Sequence, residues 1–253
     1  MNDPNASRMP RSRLIVLVVM LVAVAGAGGW LAARAFSNPA GGLSGGDRKA
    51  IETVVREYIL EHPEILPQAM ENLQHKSAKK ALAAIEDDVK SPYPGAVLGN
   101  PNGKITLVEF SDFACGYCRQ SVADIEELVK ENPDLRIIVR EMPILSEESA
   151  AAARMALAAA EQGKYAAFYH AMFAIGRPNA QTIEAAAQQA GMDLGKAKAA
   201  IAQPRIENEI ARNLDFARQL GFNGTPSWIG GDRIVSGAVG ADELAKILKE
   251  ARN

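Results

Sequence analysis

Cysteine is scarce in this chain, with two in 253 residues. That scarcity excludes a scaffold stapled by several disulfides. Histidine is nearly as rare: His62, His75 and His170 stand in no spacing that a zinc site uses, so no metal site is expected. An excess of positive charge is lacking too. Lys and Arg number 28 against 30 Asp and Glu, a net charge of −2, which excludes the basic surface that nucleic-acid binding needs. The glycine-rich run from Ser37 to Gly46 lacks the Gly-Lys-Ser/Thr ending of a phosphate loop, and no other motif calls for a cofactor.

The two cysteines that are present sit together, as Cys115-Gly116-Tyr117-Cys118. Two intervening residues let a thiol at the first turn of a helix reach a second one turn along. A disulfide there can open and close with little backbone movement, which predicts thiol–disulfide exchange through a Cys115–Cys118 bond. A static bridge is the plainer reading, but so small a loop removes little entropy from the unfolded chain. Copper(I) held by two soft thiolates is a further reading.

Arg8, Arg11 and Arg13 precede an uncharged stretch of twenty residues, Leu14 to Ala33. At about 1.5 Å per residue it matches a hydrocarbon core of about 30 Å. The arginines predict a cytoplasmic 1–13, a membrane signal-anchor over 14–33 and an extracytoplasmic remainder. The competing reading is a signal peptide cleaved after Ala23-Val24-Ala25, leaving a periplasmic protein. Either way the cysteines reach a compartment where disulfides persist.

Residues 34–46 read as a flexible linker. A helical extension follows over 47–92. Ile51, Val54, Val55, Tyr58 and Ile59 form an apolar stripe, Pro63 and Pro67 interrupt it, and Lys76 to Asp88 reads as a separate helical stretch. The stripe either folds back on the main domain or makes a homo-oligomer through residues 47–75. From 93 to 253 the pattern is β-α-β, then helices over about 147–221, then β-β-α. The strands are Lys104 to Phe110, Leu135 to Arg140, Ser227 to Ile229 and Arg233 to Val235, with helices from the cysteines to Glu131 and from Asp242 to Ala251. The aromatic run Tyr165, Phe168, Tyr169, Met172 and Phe173 reads as the core of the helical stretch. The fold class is therefore α/β, with an inserted helical domain.

A thiolate attacks a disulfide, so one cysteine must be acidic. Cys115 falls at a strand-to-helix junction, where free N–H groups and the helix dipole stabilise an anion, and Cys118 lies one turn deeper. Cys115 is thus expected to attack and Cys118 to resolve. Glu109 alternates with Ile105 and Leu107 on a central strand. It reads either as a buried proton carrier beneath the cysteines or as a strand-end carboxylate with its head in water. Gly224-Thr225-Pro226, before a strand, suggests a tight loop with a cis Thr225–Pro226 bond.

In combination, Val108-Glu109-Phe110, Cys-Gly-Tyr-Cys, the long helical insertion and Gly-Thr-Pro before a strand resemble the DsbA-like family of thioredoxin-fold oxidoreductases, over about Gly99 to Arg252. The resemblance implies a thioredoxin-like fold and an enzyme with Cys115 as nucleophile, Cys118 as resolving thiol and Glu109 as buried acid. Thr225 and Pro226 would form the cis-proline loop that, with Gly116 and Tyr117, meets the substrate. Its partners would be cysteine-containing exported proteins and a membrane redox partner, either a quinone-linked oxidase or a thiol reductase. Gly-Tyr in place of Pro-His looks more like periplasmic isomerases. Tyr58-Ile59-Leu60 and His62-Pro63-Glu64-Ile65-Leu66 resemble the N-terminal extension of the ScsC-like branch, so an isomerase or reductase kept reduced by a membrane donor is the alternative.

Overall fold

The computed structural model describes residues 45–251, together with 20–22 and 26. The expected cytoplasmic 1–13, the signal-anchor over 14–33 (apart from those four residues) and most of the 34–46 linker lie outside the described residues. Among the described residues no helix is long and apolar enough to cross a membrane. The chain divides into two compact units, Met1–Leu66 and Pro67–Asn253.

In the first unit the predicted stripe forms helix α1, Gly45–Glu61. Ile51, Val54, Val55, Tyr58 and Leu60 are exposed on it. Pro63 stops the helix, as a residue without an N–H and with a fixed φ should. The restart differs from expectation. Helix α2 runs unbroken from Ile65 to Val89, through both Pro67 and the stretch that read as separate. Pro67 falls in the first turn, where the backbone N–H has no helical partner to lose.

The second unit is built on a five-stranded sheet. Its strands are β1 (Val97–Gly99), β2 (Ile105–Ser111), β3 (Leu135–Glu141), β4 (Ser227–Gly230) and β5 (Arg233–Ser236), in the order β1-β3-β2-β4-β5. Strands β2 and β3 are parallel, joined by α3 (Gly116–Glu131) as the right-handed crossover rule predicts. The other pairings are antiparallel. Strand β1 has only three residues and follows Pro92 and Pro94, too short for an alternation pattern to betray it.

Period-two alternation splits the sheet's side chains between two cores. Leu107, Ile137, Val139 and Trp228 join a core with Ile125 and Leu128 of α3 and with Leu244, Ile247 and Leu248 of α9 (Ala241–Ala251). Val108, Phe110, Ile138 and Ile229 face Leu82 and Val89 of α2 and Phe216, Ala217 and Leu220 of α8 (Pro204–Leu220). The C-terminal part of α2 therefore packs on the sheet.

Between β3 and β4 lie five helices: α4 (Glu147–Glu161), α5 (Tyr165–Ile175), α6 (Ala180–Gln189), α7 (Leu194–Ile201) and α8 (Pro204–Leu220). Pro204 opens α8, and Gly221, at φ 74°, closes it in the left-handed region that only glycine enters cheaply. The side chains α4–α7 bury are continuous with the α3–α9 core.

A buried cation ties the layers together. Arg140 on β3 is 1% exposed and donates to Glu209 Oε1 (2.6 Å) and Asn213 Oδ1 (3.2 Å) of α8. It also donates to the carbonyls of Asp88, Val89 and Ser91 at the end of α2.

Candidate functional site

The site begins where β2 ends. Residues 112–114 turn the chain, and Cys115 becomes the N-cap of α3 at φ −79°, ψ 122°. The turn is held by Asp112, whose carbonyl accepts from Cys115 N–H at 2.9 Å and whose Oδ1 accepts from Ala114 N–H at 2.8 Å. Phe113 anchors it against Phe168 and Phe173 of α5, with ring centroids 5.7 and 5.0 Å apart.

Both cysteines are free thiols here, Cys115 at the surface edge of the core and Cys118 fully enclosed. Cys118 N–H donates to Cys115 Sγ at 3.4 Å. Across the site the Thr225–Pro226 peptide is cis, and the Thr225 carbonyl accepts from Cys115 Sγ at 3.2 Å. Fold contacts 110 residues apart thus bring together the Cys-Gly-Tyr-Cys turn and the Gly-Thr-Pro loop.

The two thiols are pushed in opposite directions. Cys115 is lowered to about 5, chiefly because the Cys118 thiol donates to its thiolate, with the Thr225 side chain and the N–H groups of Cys118 and Tyr117 adding to this against the cost of burial. Cys118 is raised by burial first, then by holding its proton toward Cys115 and by the charge of Glu109.

Glu109 takes the buried one of its two readings. It lies on the Leu107 face of β2, opposite Trp228 of β4, with no exposed surface. Tyr169 of α5 donates to its Oε2 at 3.2 Å, and its Oε1 has no protein partner. Burial is the main cause that raises its pKa from 4.5 to about 7, and the Cys115 charge pushes the same way. The carboxyl is therefore protonated in the folded chain at pH 6 and ionised in the unfolded one. Its contribution to stability is complete below about pH 4.5 and shrinks by about 3 kcal/mol as pH rises toward 7. The Cys115 thiolate works in the opposite sense, so the difference between wild type and Glu109→Gln isolates the carboxyl. Urea titrations should show the variant gaining on wild type by about that amount between pH 4.5 and 8. A constant gap would mean that Glu109 folds ionised.

Three residues of the site carried no sequence signal. Tyr169 read only as core, and it is core, but its hydroxyl reaches Glu109. Asp112 is 1% exposed and stands in no motif. Glu141 closes β3, fully buried and accepting from Tyr165 at 2.6 Å; burial holds its pKa well above the usual range. Each contact spans an insertion or a crossover, so local spacing is silent about it.

Gly116 is exposed and open around its Cα, and Tyr117 is 61% exposed. Tyr117, Gly224 and Thr225 border a groove of about 500 Å³ that continues to Ser236 and Ala238. Among the described residues no three His, Cys, Asp or Glu side chains gather as a metal set would.

Comparison with known proteins agrees with this geometry. Residues 92–250 match the family described as Thioredoxin, and residues 47–80 match the family described as Copper resistance protein ScsC N-terminal domain. A thioredoxin-like oxidoreductase from Silicibacter pomeroyi is 39% identical, with a TM-score of 0.62 over 66% of this chain and 96% of that one. A linker-deleted variant of Proteus mirabilis ScsC is 26% identical, with a TM-score of 0.67 over 85% and 99%. The thiol-disulfide exchange protein alpha-DsbA2 from Wolbachia pipientis is 28% identical, with a TM-score of 0.63 over 70% and 97%. Among curated relatives, a protein named Na(+)/H(+) antiporter NhaA 3 from Salinispora tropica is 28% identical over 160 residues, 61% of this chain. The chain spans about a quarter (24%) of that relative's length. By its matched family, its sheet order and its cysteine turn, the chain belongs to the thioredoxin family, alongside the DsbA- and ScsC-like thiol–disulfide oxidoreductases.

Proposed function

We propose that this chain exchanges disulfides with exported proteins outside the cytoplasm, through Cys115 and Cys118. One observation carries the reading: an acidic sulfur at a helix N-terminus, 6% exposed, is paired with a fully enclosed, proton-holding one beside a carboxyl that burial raises to about 7. In the donating direction a client thiolate attacks Cys115 Sγ of the closed pair. The Cys115–Cys118 bond breaks, a client–Cys115 bond forms, and the Cys118 thiolate released in the core takes a proton from Glu109. A second client thiolate then attacks the client sulfur and expels Cys115 as thiolate. Two electrons pass from client to enzyme, and a quinone-linked membrane oxidase would remove them. Thr225 and Pro226 would hold the client backbone by strand-like pairing, with Gly116 and Tyr117 beside it.

The arginine-flanked stretch 14–33 supports a location facing the periplasm, held by that stretch or released by cleavage. The exposed stripe of α1 supports self-association through residues 47–75. That would suit the alternative direction, an isomerase or reductase that grips a client through repeated attacks. Copper(I) held by the two sulfurs is the other reading, and its binding would have to displace the buried Cys118 proton.

Cys118→Ser is the direct test. It keeps the attacking sulfur and removes the resolving one, so clients should accumulate as covalent adducts that non-reducing gels resolve and thiol treatment releases. A variant that yields no adducts while the wild type exchanges would reverse the roles given to the two cysteines.

A further inference from the structure

Glu109 and Ser111 are two residues apart on β2, so alternation sets both side chains on the face that carries Leu107 toward α3 and Cys118. Ser111 is buried, and its backbone is held on both sides. Its carbonyl accepts from Met142 N–H at 2.8 Å. The next residue, Asp112, accepts through Oδ2 from the N–H groups of Ile144 (2.8 Å) and Leu145 (3.0 Å) and from Ser149 Oγ (3.2 Å). Only the Ser111 hydroxyl is left to turn. Among the described residues it closes no hydrogen bond, and neither does Glu109 Oε1. Yet it acts on two groups at once. Against the burial that chiefly raises both, the Ser111 hydroxyl pulls down Glu109 on one side and Cys118 on the other. A buried hydroxyl without a closed bond weakens a core that alanine would fill at no such cost, so its presence calls for a role.

We propose that the Ser111 hydroxyl relays the proton between Glu109 Oε1 and Cys118 Sγ. The relay rests on the exchange reading above and supplies the path for its acid step. A hydroxyl accepts and donates at the same time, which neither a carboxylate nor a thiolate can do. Tyr169 already donates to Glu109 Oε2, so the carboxyl proton belongs on Oε1, the oxygen without a partner. When a client thiolate opens the Cys115–Cys118 bond, the Cys118 thiolate takes the Ser111 proton as Ser111 Oγ takes the proton of Glu109. The serine ends as a hydroxyl turned the other way. The net change is one proton moved from carboxyl to sulfur, and the relay itself transfers no electrons. Protonation stops Cys118 from attacking Cys115 again and reclosing the ring before a second client thiolate arrives. The reverse passage frees the Cys118 thiolate when the pair is reoxidised.

The test measures how fast two probes, reduced glutathione and a cysteine peptide, open the oxidised pair of the full chain, by quenched flow and alkylation of the freed Cys118. Ser111→Ala should be slower by about ten-fold with both, short of the about hundred-fold that a missing general acid costs, because Glu109 itself remains. Its urea midpoint should stay at or above the wild-type value, since the hydroxyl removed was unbonded. Ser111→Thr, which restores a hydroxyl, should recover most of the rate. Glu109→Gln should be slower still, and Glu109→Gln/Ser111→Ala should lose nothing more, because a relay without its acid carries nothing. Equal rates in Ser111→Ala and wild type, no recovery in Ser111→Thr, or additive losses in the double variant would overturn the relay. A wild type whose pair neither probe opens would overturn the exchange reading instead.

Discussion

Cys115→Ser should reduce exchange to background with every probe, because the one other cysteine, Cys118, is fully enclosed. The size of the loss does not come from thiolate supply. With its pKa at about 5, Cys115 is almost wholly ionised at pH 7, whereas a thiol at the ordinary 9 would be about 1% ionised. That gain of about a hundred-fold is nearly cancelled, since nucleophilicity falls with a slope of about 0.4–0.5 per pKa unit, or some sixty-fold over four units. The net advantage of an acidic Cys115 lies in being expelled, because a more acidic thiol is a faster leaving group. Expulsion of Cys115 is the step that hands a disulfide to the client. In the proposed exchange, the acidity of Cys115 would therefore work toward donation. Stopped-flow exchange with glutathione disulfide checks the loss, and residual exchange above a few per cent in Cys115→Ser would mean that Cys118 attacks directly.

Arg140→Leu should produce the largest change in stability. The guanidinium is enclosed, and its removal strands the buried Glu209 carboxylate, the Asn213 carbonyl oxygen and the Val89 carbonyl. Breaking a buried pair from one side costs about 3–5 kcal/mol, a large part of the about 5–15 kcal/mol that holds a domain folded. Urea unfolding should show the midpoint falling by the corresponding amount. Arg140→Leu/Glu209→Leu should recover part of the loss, because the stranded charge is gone. A single variant as stable as wild type would mean that water already reaches the cluster.

Much of this architecture was legible because it is local. Alternation marked β2, a helical apolar face with Asn132-Pro133 after it bounded α3, and two cysteines at a helical spacing marked the site. Glu109 could be placed on a face by counting twos, though its burial depended on neighbours from β3, β4 and α5. What escaped was long-range. Nothing near Asp112 announces that residues 144, 145 and 149 will converge on it. Arg140 reads as one more polar residue in a strand until α2 and α8 close over it. Strand β1 exists only as an addition to β3, and α2 passes through Pro67 because a first-turn proline forfeits nothing, a distinction that depends on where the helix begins.

The hold of Arg140 on the end of α2 has a consequence for how this chain can be divided. The stretch that matches the thioredoxin family begins at 92, immediately after the three carbonyls that Arg140 grips and after Leu82 and Val89, which fill the core beneath β2 and β3. A fragment cut at that seam would keep every reactive group yet open one side of its own sheet. The chain divides instead between Leu66 and Pro67, so the compact unit that holds both cysteines takes in most of α2, whose Leu82 and Val89 line its sheet.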